Sequence, residues 1–198
     1  MIKALALVSG GLDSILAARL IQMQGIEVIG VCFASAFFGS ANAERMAAQI
    51  DMPLIVVDFT EEHLKMTKDP KHGYGKNMNP CIDCHAMMLN YAGKMLEEYN
   101  ASFLITGEVL NQRPMSQNKK SLGIVQKESG FEDKILRPLC ALNLPPTKME
   151  VEGLVDRTKL LGISGKSRKQ QIELARLWGI KDYPSPAGGC MLTEPQFA

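Results

Sequence analysis

The amino-acid sequence predicts an α/β protein built on a doubly wound parallel sheet of about five strands. Three observations carry this expectation. Short apolar runs bounded by glycine or polar residues alternate with runs of helical periodicity along most of the chain. Each connection is long enough to carry a helix back across the sheet, as parallel pairing requires. The first apolar run also ends in a glycine pair at the mouth of a helix, where open α/β sheets place their ligands.

Ala4–Val8 reads as the first strand, and Leu12–Gln24 as a helix with Leu12, Ile15, Leu16 and Leu20 on one face, closed by Gly25. Glu27–Phe33 and Leu54–Asp58 read as strands two and three, with a helix over Ala41–Ile50 between them. Thr67–Met78 is polar, with lysines and glycines, and is expected to be a loop. Asn79 and Pro80 form a helix start, Asn as N-cap and Pro at the first helical position, with the helix running to about Tyr99. A fourth strand at Phe103–Thr106, a weaker helix over Pro114–Gln126 and a fifth strand at Lys134–Leu139 follow. Thr147 and Glu150 have capping-box spacing, and Ser167 opens a last helix that closes near Gly179. From Pro184 the chain is rich in proline and glycine and reads as loop.

With 198 residues, 46% of them hydrophobic, one core and one domain over residues 1–198 are expected, and the abrupt end at Phe197–Ala198 points to a longer natural chain. A net charge of +1 excludes neither an enzyme nor a binding module. No apolar run approaches the roughly 20 residues that span a membrane. The apolar start runs straight into a glycine turn without a cleavage pattern, so a cytoplasmic protein is expected. Five cysteines without a secretion signal argue against a disulfide framework.

Ser9-Gly10-Gly11-Leu12-Asp13-Ser14 lies where the first strand meets the first helix. Two glycines allow a tight turn and close approach of backbone amides to a ligand. The helix N-terminus adds unpaired N–H groups and partial positive charge, which suits pyrophosphate. Ser9 and Ser14 supply hydroxyls, and Asp13 is positioned to hold Mg²⁺ beside the phosphates. Gly162–Ser167 looks superficially like a second phosphate loop. The Walker pattern G-x-x-x-x-G-K-[ST] needs glycine where Leu160 stands, so that reading is rejected.

The full S-G-G-x-D-S string resembles the signature of the PP-loop ATP pyrophosphatase superfamily, whose members cleave ATP to AMP and pyrophosphate. Thr106-Gly107-Glu108, followed by Gln112, Ser116 and Gln117, resembles the T-G-E segment of tRNA 4-thiouridine synthetases. Asn79-Pro80-Cys81-Ile82-Asp83-Cys84 is similar to the N-P-C-x-x-C segment of tRNA 2-thiouridylases, and Ile135–Leu139 is similar to strand five of both. The resemblance implies an adenine nucleotide alpha hydrolase-like sheet of order 3-2-1-4-5. It also implies an ATP site made by Ser9, Gly10, Gly11, Asp13 and Ser14 with Thr106, Gly107 and Glu108. Phe33, ending strand two, is either an adenine neighbour or a core aromatic. The signature starts at residue 9, where 4-thiouridine synthetases usually carry an RNA-binding domain first.

Cys81 and Cys84 fall in the first turn of one helix, where the helix N-terminus is expected to lower a thiol's pKa. Cys190 follows far downstream in Pro186-Ala187-Gly188-Gly189-Cys190. Three thiolates meeting at the site would hold a [4Fe-4S] cluster with one iron open, as in the cluster-dependent tRNA thiolation enzymes this arrangement resembles. Persulfide carriage on Cys190, structural zinc with His85 as fourth ligand, and inert thiols are the rivals. Cys32 and Cys140 read as core residues.

From Arg157 to Lys181 there are seven Lys/Arg and one acidic residue, Glu173. Such a run is a solvated face or, at Lys166, Arg168 and Lys169, a contact for RNA phosphates. The reading that unites these features is an ATP-dependent tRNA sulfurtransferase. Asp13 and Cys190 would be its catalytic residues, ATP, Mg²⁺ and a [4Fe-4S] cluster its cofactors, and tRNA and a sulfur donor its partners. Adenylation of a small-molecule acceptor and a nucleotide-binding module without turnover are the alternatives.

Overall fold

Strand β1 (Lys3–Leu7) is buried through Ala4, Leu5 and Ala6 because helices cover both of its faces. The computed structural model describes residues 1–75, 77–185 and 190–197. β1 pairs in parallel with β2 (Glu27–Ala34) on one side and β4 (Phe103–Ile105) on the other. β3 (Leu54–Asp58) and β5 (Ile135–Leu136) form the edges, so the order is β3-β2-β1-β4-β5 and every pairing is parallel. The chain winds outward from β1 to β3, then returns to β4 on the other side of β1. This reversal opens a crevice at the carboxyl ends of β1 and β4.

The period-2 alternation of the strands divides the core into two layers. Ala4, Ala6, Phe103 and Ile105 face α1 (Leu12–Gln22), α2 (Ala41–Ala48) and α7 (Lys169–Leu177), through Ile15, Leu16, Met46 and Ala175. Leu5, Leu104 and Ile135 face α4 (Cys81–Met95) and α5 (Lys119–Glu128), through Leu89, Ala92 and Val125. The short helix α6 (Lys148–Val151) carries the expected capping box between Thr147 and Glu150. No helix is long and apolar enough to cross a membrane among the described residues.

Several boundaries differ from the sequence expectation. Helix α3 (Thr60–Lys68) begins before the stretch read as loop and runs into it. It buries only His63 and Thr67, so it shows no apolar stripe. His63 is enclosed by the rings of Phe37, Phe38 and Phe59, with centroids 5.2–5.5 Å away. Pro80, not Asn79, is the N-cap of α4, because its carbonyl accepts the first helical bond from Cys84 N at 2.9 Å. α5 starts at Lys119 and not at Pro114, capped by Asn118, whose side chain accepts from Ser121 N at 2.9 Å. β5 keeps two residues because Arg137 turns its side chain inward and Pro138 has no N–H to pair. The last helix begins at Lys169, with Arg168 rather than Ser167 at its cap.

Candidate active site

The loop between β1 and α1 is shaped by Gly10 and Gly11. Gly10 has φ +86°, and a Cβ there would lie 2.7 Å from Asn42 Cβ, so only glycine fits against α2. Gly11 is the N-cap of α1 and has no side chain to satisfy the first-turn N–H groups, which stay available to an anion. Ser9 Oγ accepts from Gly11 N at 3.4 Å, and Ser14 Oγ donates to Gly11 O at 3.0 Å. Gly107 closes the crevice from β4. A Cβ on it would lie 2.6 Å from the Asp13 carbonyl carbon and from Ser14 Cα. The two motifs therefore touch through backbone.

Asp13 is 9% exposed and is the hub of this crevice. Its Oδ2 accepts from Gln112 Nε2 at 2.5 Å and faces Arg168 Nη2 at 3.3 Å. Gln112 Oε1 in turn accepts from Gln171 Nε2 at 2.8 Å. Asp13 Oδ1 is buried without a hydrogen-bond partner among the described residues. A buried, unsatisfied carboxylate oxygen beside a phosphate loop is costly in isolation and fits a hard cation such as Mg²⁺.

Thr106 and Glu108 turn into the protein, while Gly107 faces the loop. Glu108 Oε2 accepts from Thr106 Oγ1 at 3.0 Å and from Arg137 Nε at 2.8 Å. Arg137 is 4% exposed and also donates to Gln126 Oε1 at 2.9 Å. Burial pushes the Glu108 carboxyl up. The Arg137 guanidinium and the nearby His85 outweigh burial and bring it down to about 2. His85 Nδ1 lies 3.6 Å from Glu108 Oε1, too long for a hydrogen bond but close enough for a charge contact.

That contact joins the cysteine helix to the crevice. Cys81 and Cys84 open α4 at the same edge of the sheet as the phosphate loop, with Cys84 immediately before His85. Cys190 belongs to a distant segment held by Met191 N to Phe37 O at 3.3 Å and Asn77 Nδ2 to Thr193 O at 2.7 Å. Residues 186–189, expected to form its flexible approach, lie outside the described residues. All five cysteines are free thiols; Cys32 and Cys140 are buried in the core, as expected.

The expectation of lowered thiol pKa values at the start of α4 is overturned. Burial pushes Cys81, Cys84 and Cys190 up, and Cys84 furthest because it is the most deeply buried, with Cys81, Cys190 and Asp83 adding to the rise. Asn79 and Arg113 counteract this in part at Cys81. Burial outweighs the helix terminus here. Cys81 and Cys190 thus lie within electrostatic reach of the Cys84 thiol. No group of three or more His, Cys, Asp or Glu is arranged to hold a single metal ion among the described residues. His85 is turned to Glu108, so the zinc arrangement finds no support.

Phe33 is 5% exposed and packs on Phe59 and Tyr91, with centroids at 5.0 and 5.6 Å, as a core aromatic. Lys166 and Lys169 are exposed, whereas Arg168 is turned toward Asp13. Sequence reasoning missed Gln112, Gln171 and Arg137 as structural partners of the site. The only available signal was that Gln112 and Arg137 sit inside the segments that carried the resemblance.

A glycine loop at the switch point of a 3-2-1-4-5 parallel sheet, with an acidic residue in the first helical turn, defines an α/β domain of the PP-loop class. The family model described as "Thiamine biosynthesis protein (ThiI)" matches residues 2–152, and the chain belongs to this family. A probable tRNA sulfurtransferase of Thermococcus kodakarensis is 29% identical over 172 residues, covering 81% of this chain and 41% of that protein. The chain thus spans about two fifths of that relative's length. Two solved structures share the fold. One is a 4-thiouridine synthetase–RNA complex with bound ATP (TM-score 0.57, 18% identity, 98% of this chain and 53% of that one). The other is a predicted subunit of tRNA methyltransferase from Methanocaldococcus jannaschii (TM-score 0.56, 15% identity, 93% and 82%).

Proposed function

We propose that this domain activates a tRNA uridine with ATP and replaces its carbonyl oxygen with sulfur delivered at the three cysteines. One observation carries the reading. Gly107 packs on the Asp13–Ser14 backbone, and the next residue, Glu108, meets His85 beside Cys84, which supports a link from the phosphate loop to the start of the cysteine helix. The family and the name of the Thermococcus relative support tRNA thiolation.

In this reading the Gly10–Ser14 amides hold the pyrophosphate portion of ATP, with Mg²⁺ at Asp13. The uridine carbonyl oxygen attacks the α-phosphorus, the bond to pyrophosphate breaks, and the oxygen becomes part of an AMP leaving group. Preorganised amides and cations at the phosphates supply most of the rate. Sulfur then forms the new bond to the base carbon as AMP departs. A [4Fe-4S] cluster on Cys81, Cys84 and Cys190 would leave one iron free to present that sulfur. The chain's own contribution would be to bring one thiol pair and one distant thiol together. Burial raises their pKa values, which disfavours unassisted thiolate attack, whereas a bound cluster would itself stabilise the thiolate form. Lys166 and Lys169 are the proposed RNA phosphate contacts.

The test is anaerobic purification with iron and acid-labile sulfide analysis, then assay with ATP, Mg²⁺, sulfide and unmodified tRNA. Wild-type protein is expected to contain iron, release pyrophosphate and form thiouridine. Alanine at Cys81, Cys84 or Cys190 singly should abolish thiolation and iron content together, while Asp13→Ala abolishes pyrophosphate release. Full thiolation by iron-free protein overturns the cluster; no ATP-dependent pyrophosphate release overturns the whole reading.

A further inference from the structure

Arg168 sits where sequence alone left a choice between a solvated face and an RNA contact, and it takes neither position. Its Nη2 lies 3.3 Å from Asp13 Oδ2, and its side chain is 20% exposed. The placement is built from several directions. Ile163 N donates to Leu139 O at 2.8 Å and Gly165 N to Leu110 O at 2.9 Å, so the segment before α7 is tied to the chain beyond β5 and β4. From inside α7, fully buried Gln171 reaches Gln112, which reaches Asp13.

The Arg168–Asp13 contact itself is loose. Charge-assisted N–H···O bonds settle near 2.7–2.9 Å. Gln112, a neutral donor, comes closer to the same oxygen than the guanidinium does. The other guanidinium N–H groups make no hydrogen bond among the described residues. Asp13 meanwhile keeps Oδ1 buried and unpartnered, so this carboxylate satisfies neither its cation nor itself. A planar fork of donors with spare capacity at the rim of an anion-binding loop suits phosphate oxygens better than a shared carboxylate oxygen.

We propose that Arg168 is a ligand of the ATP polyphosphate, held against Asp13 until Mg²⁺ and nucleotide arrive. Mg²⁺ takes the carboxylate, Arg168 is released from it, and the guanidinium turns to the phosphate oxygens. α7 thereby becomes part of the nucleotide site. This rests on the nucleotide reading of the loop, and the measurements separate the two.

The experiment compares wild type, Arg168→Ala and Arg168→Lys by calorimetric titration with Mg²⁺·ATP, Mg²⁺·pyrophosphate and AMP. Mn²⁺ alone is titrated separately, without nucleotide, by electron paramagnetic resonance of the free ion. Loss of a charge-assisted contact predicts that Arg168→Ala weakens ATP and pyrophosphate binding by about tenfold or more, with AMP within about twofold. Mn²⁺ alone should bind tighter to Arg168→Ala, because Asp13 has lost its competing cation. Arg168→Lys should recover part of the pyrophosphate affinity. The opposite signs for Mn²⁺ and pyrophosphate are not expected of a residue that only braces the fold. Wild-type ATP affinity in Arg168→Ala with a lowered melting temperature makes Arg168 a brace and overturns the proposal. Unchanged ATP affinity with weakened tRNA binding makes it an RNA contact and overturns it equally. Wild-type protein that binds neither ATP nor pyrophosphate removes the nucleotide reading together with this inference.

Discussion

Glu108 carries an ionised carboxylate into a position 7% exposed, and the surrounding charges decide its protonation. Desolvation alone would raise its pKa, yet Arg137 and His85 bring it to about 2, below its ordinary 4.5. A depressed carboxylate pKa contributes stability that is complete above the unfolded value and lost as pH falls through the folded one. Melting temperatures should therefore begin to fall below pH 4.5 and keep falling toward pH 2. Glu108→Gln should flatten that part of the acid limb and destabilise the protein by about 3–5 kcal/mol at neutral pH, because Arg137 is left buried and unpaired. An unchanged acid limb in Glu108→Gln would show that other carboxylates set it. The T-G-E segment was legible as a motif, but its inward use was not. Arg137 lies far along the chain, and no local spacing announces a partner. Asp13 teaches the same point, since its type and place were readable while Gln112, Gln171 and Arg168 converge on it only in the fold.

Elements whose burial is periodic were legible, and those held by other forces were not. α1 and β1 to β3 were read within about two residues, the usual uncertainty of element boundaries. α3 escaped because a caged histidine, rather than an apolar stripe, seats it. α5 escaped at its start because its cap, Asn118, follows Pro114, which also satisfies a helix-start rule. Glycines divide in the same way by what surrounds them. Gly107 has the backbone of Asp13 and Ser14 where a Cβ would stand, whereas Gly123, within α5, has nothing within 4 Å. Gly107→Ala should force the start of α1 away from β4, costing about 1–3 kcal/mol and weakening ATP binding. Gly123→Ala should raise stability by about 0.5–1 kcal/mol and leave ATP binding unchanged. Chemical denaturation and nucleotide titration of the pair check this. Equal effects at both sites would mean that the β4–α1 contact is not tight.

At the scale of the whole molecule, a net charge of +1 gives no general attraction to nucleic acid. Any tRNA affinity of this chain must therefore come from local clusters, and Lys166 and Lys169 are exposed beside the crevice. Arg168 lies between them in sequence but is partly withdrawn against Asp13, so the basic run divides into two outward charges and one inward charge. A lysine that neutralises a phosphate releases a counterion, and each such contact contributes about one unit to the slope of log affinity against log salt. Lys166→Ala with Lys169→Ala should thus reduce that slope by about two units, with the loss of tRNA affinity largest at low salt. Pyrophosphate affinity in the same protein should stay close to wild type, because neither side chain makes a hydrogen bond or ion pair with Asp13 or the loop among the described residues. Binding isotherms at several salt concentrations measure both quantities. A parallel fall in affinity at all salt concentrations would assign the two lysines to packing or shape, and an unchanged slope would make this face plain solvated surface. A reduced slope with intact pyrophosphate binding would mark the edge beside α7 as the place where RNA backbone meets the nucleotide crevice.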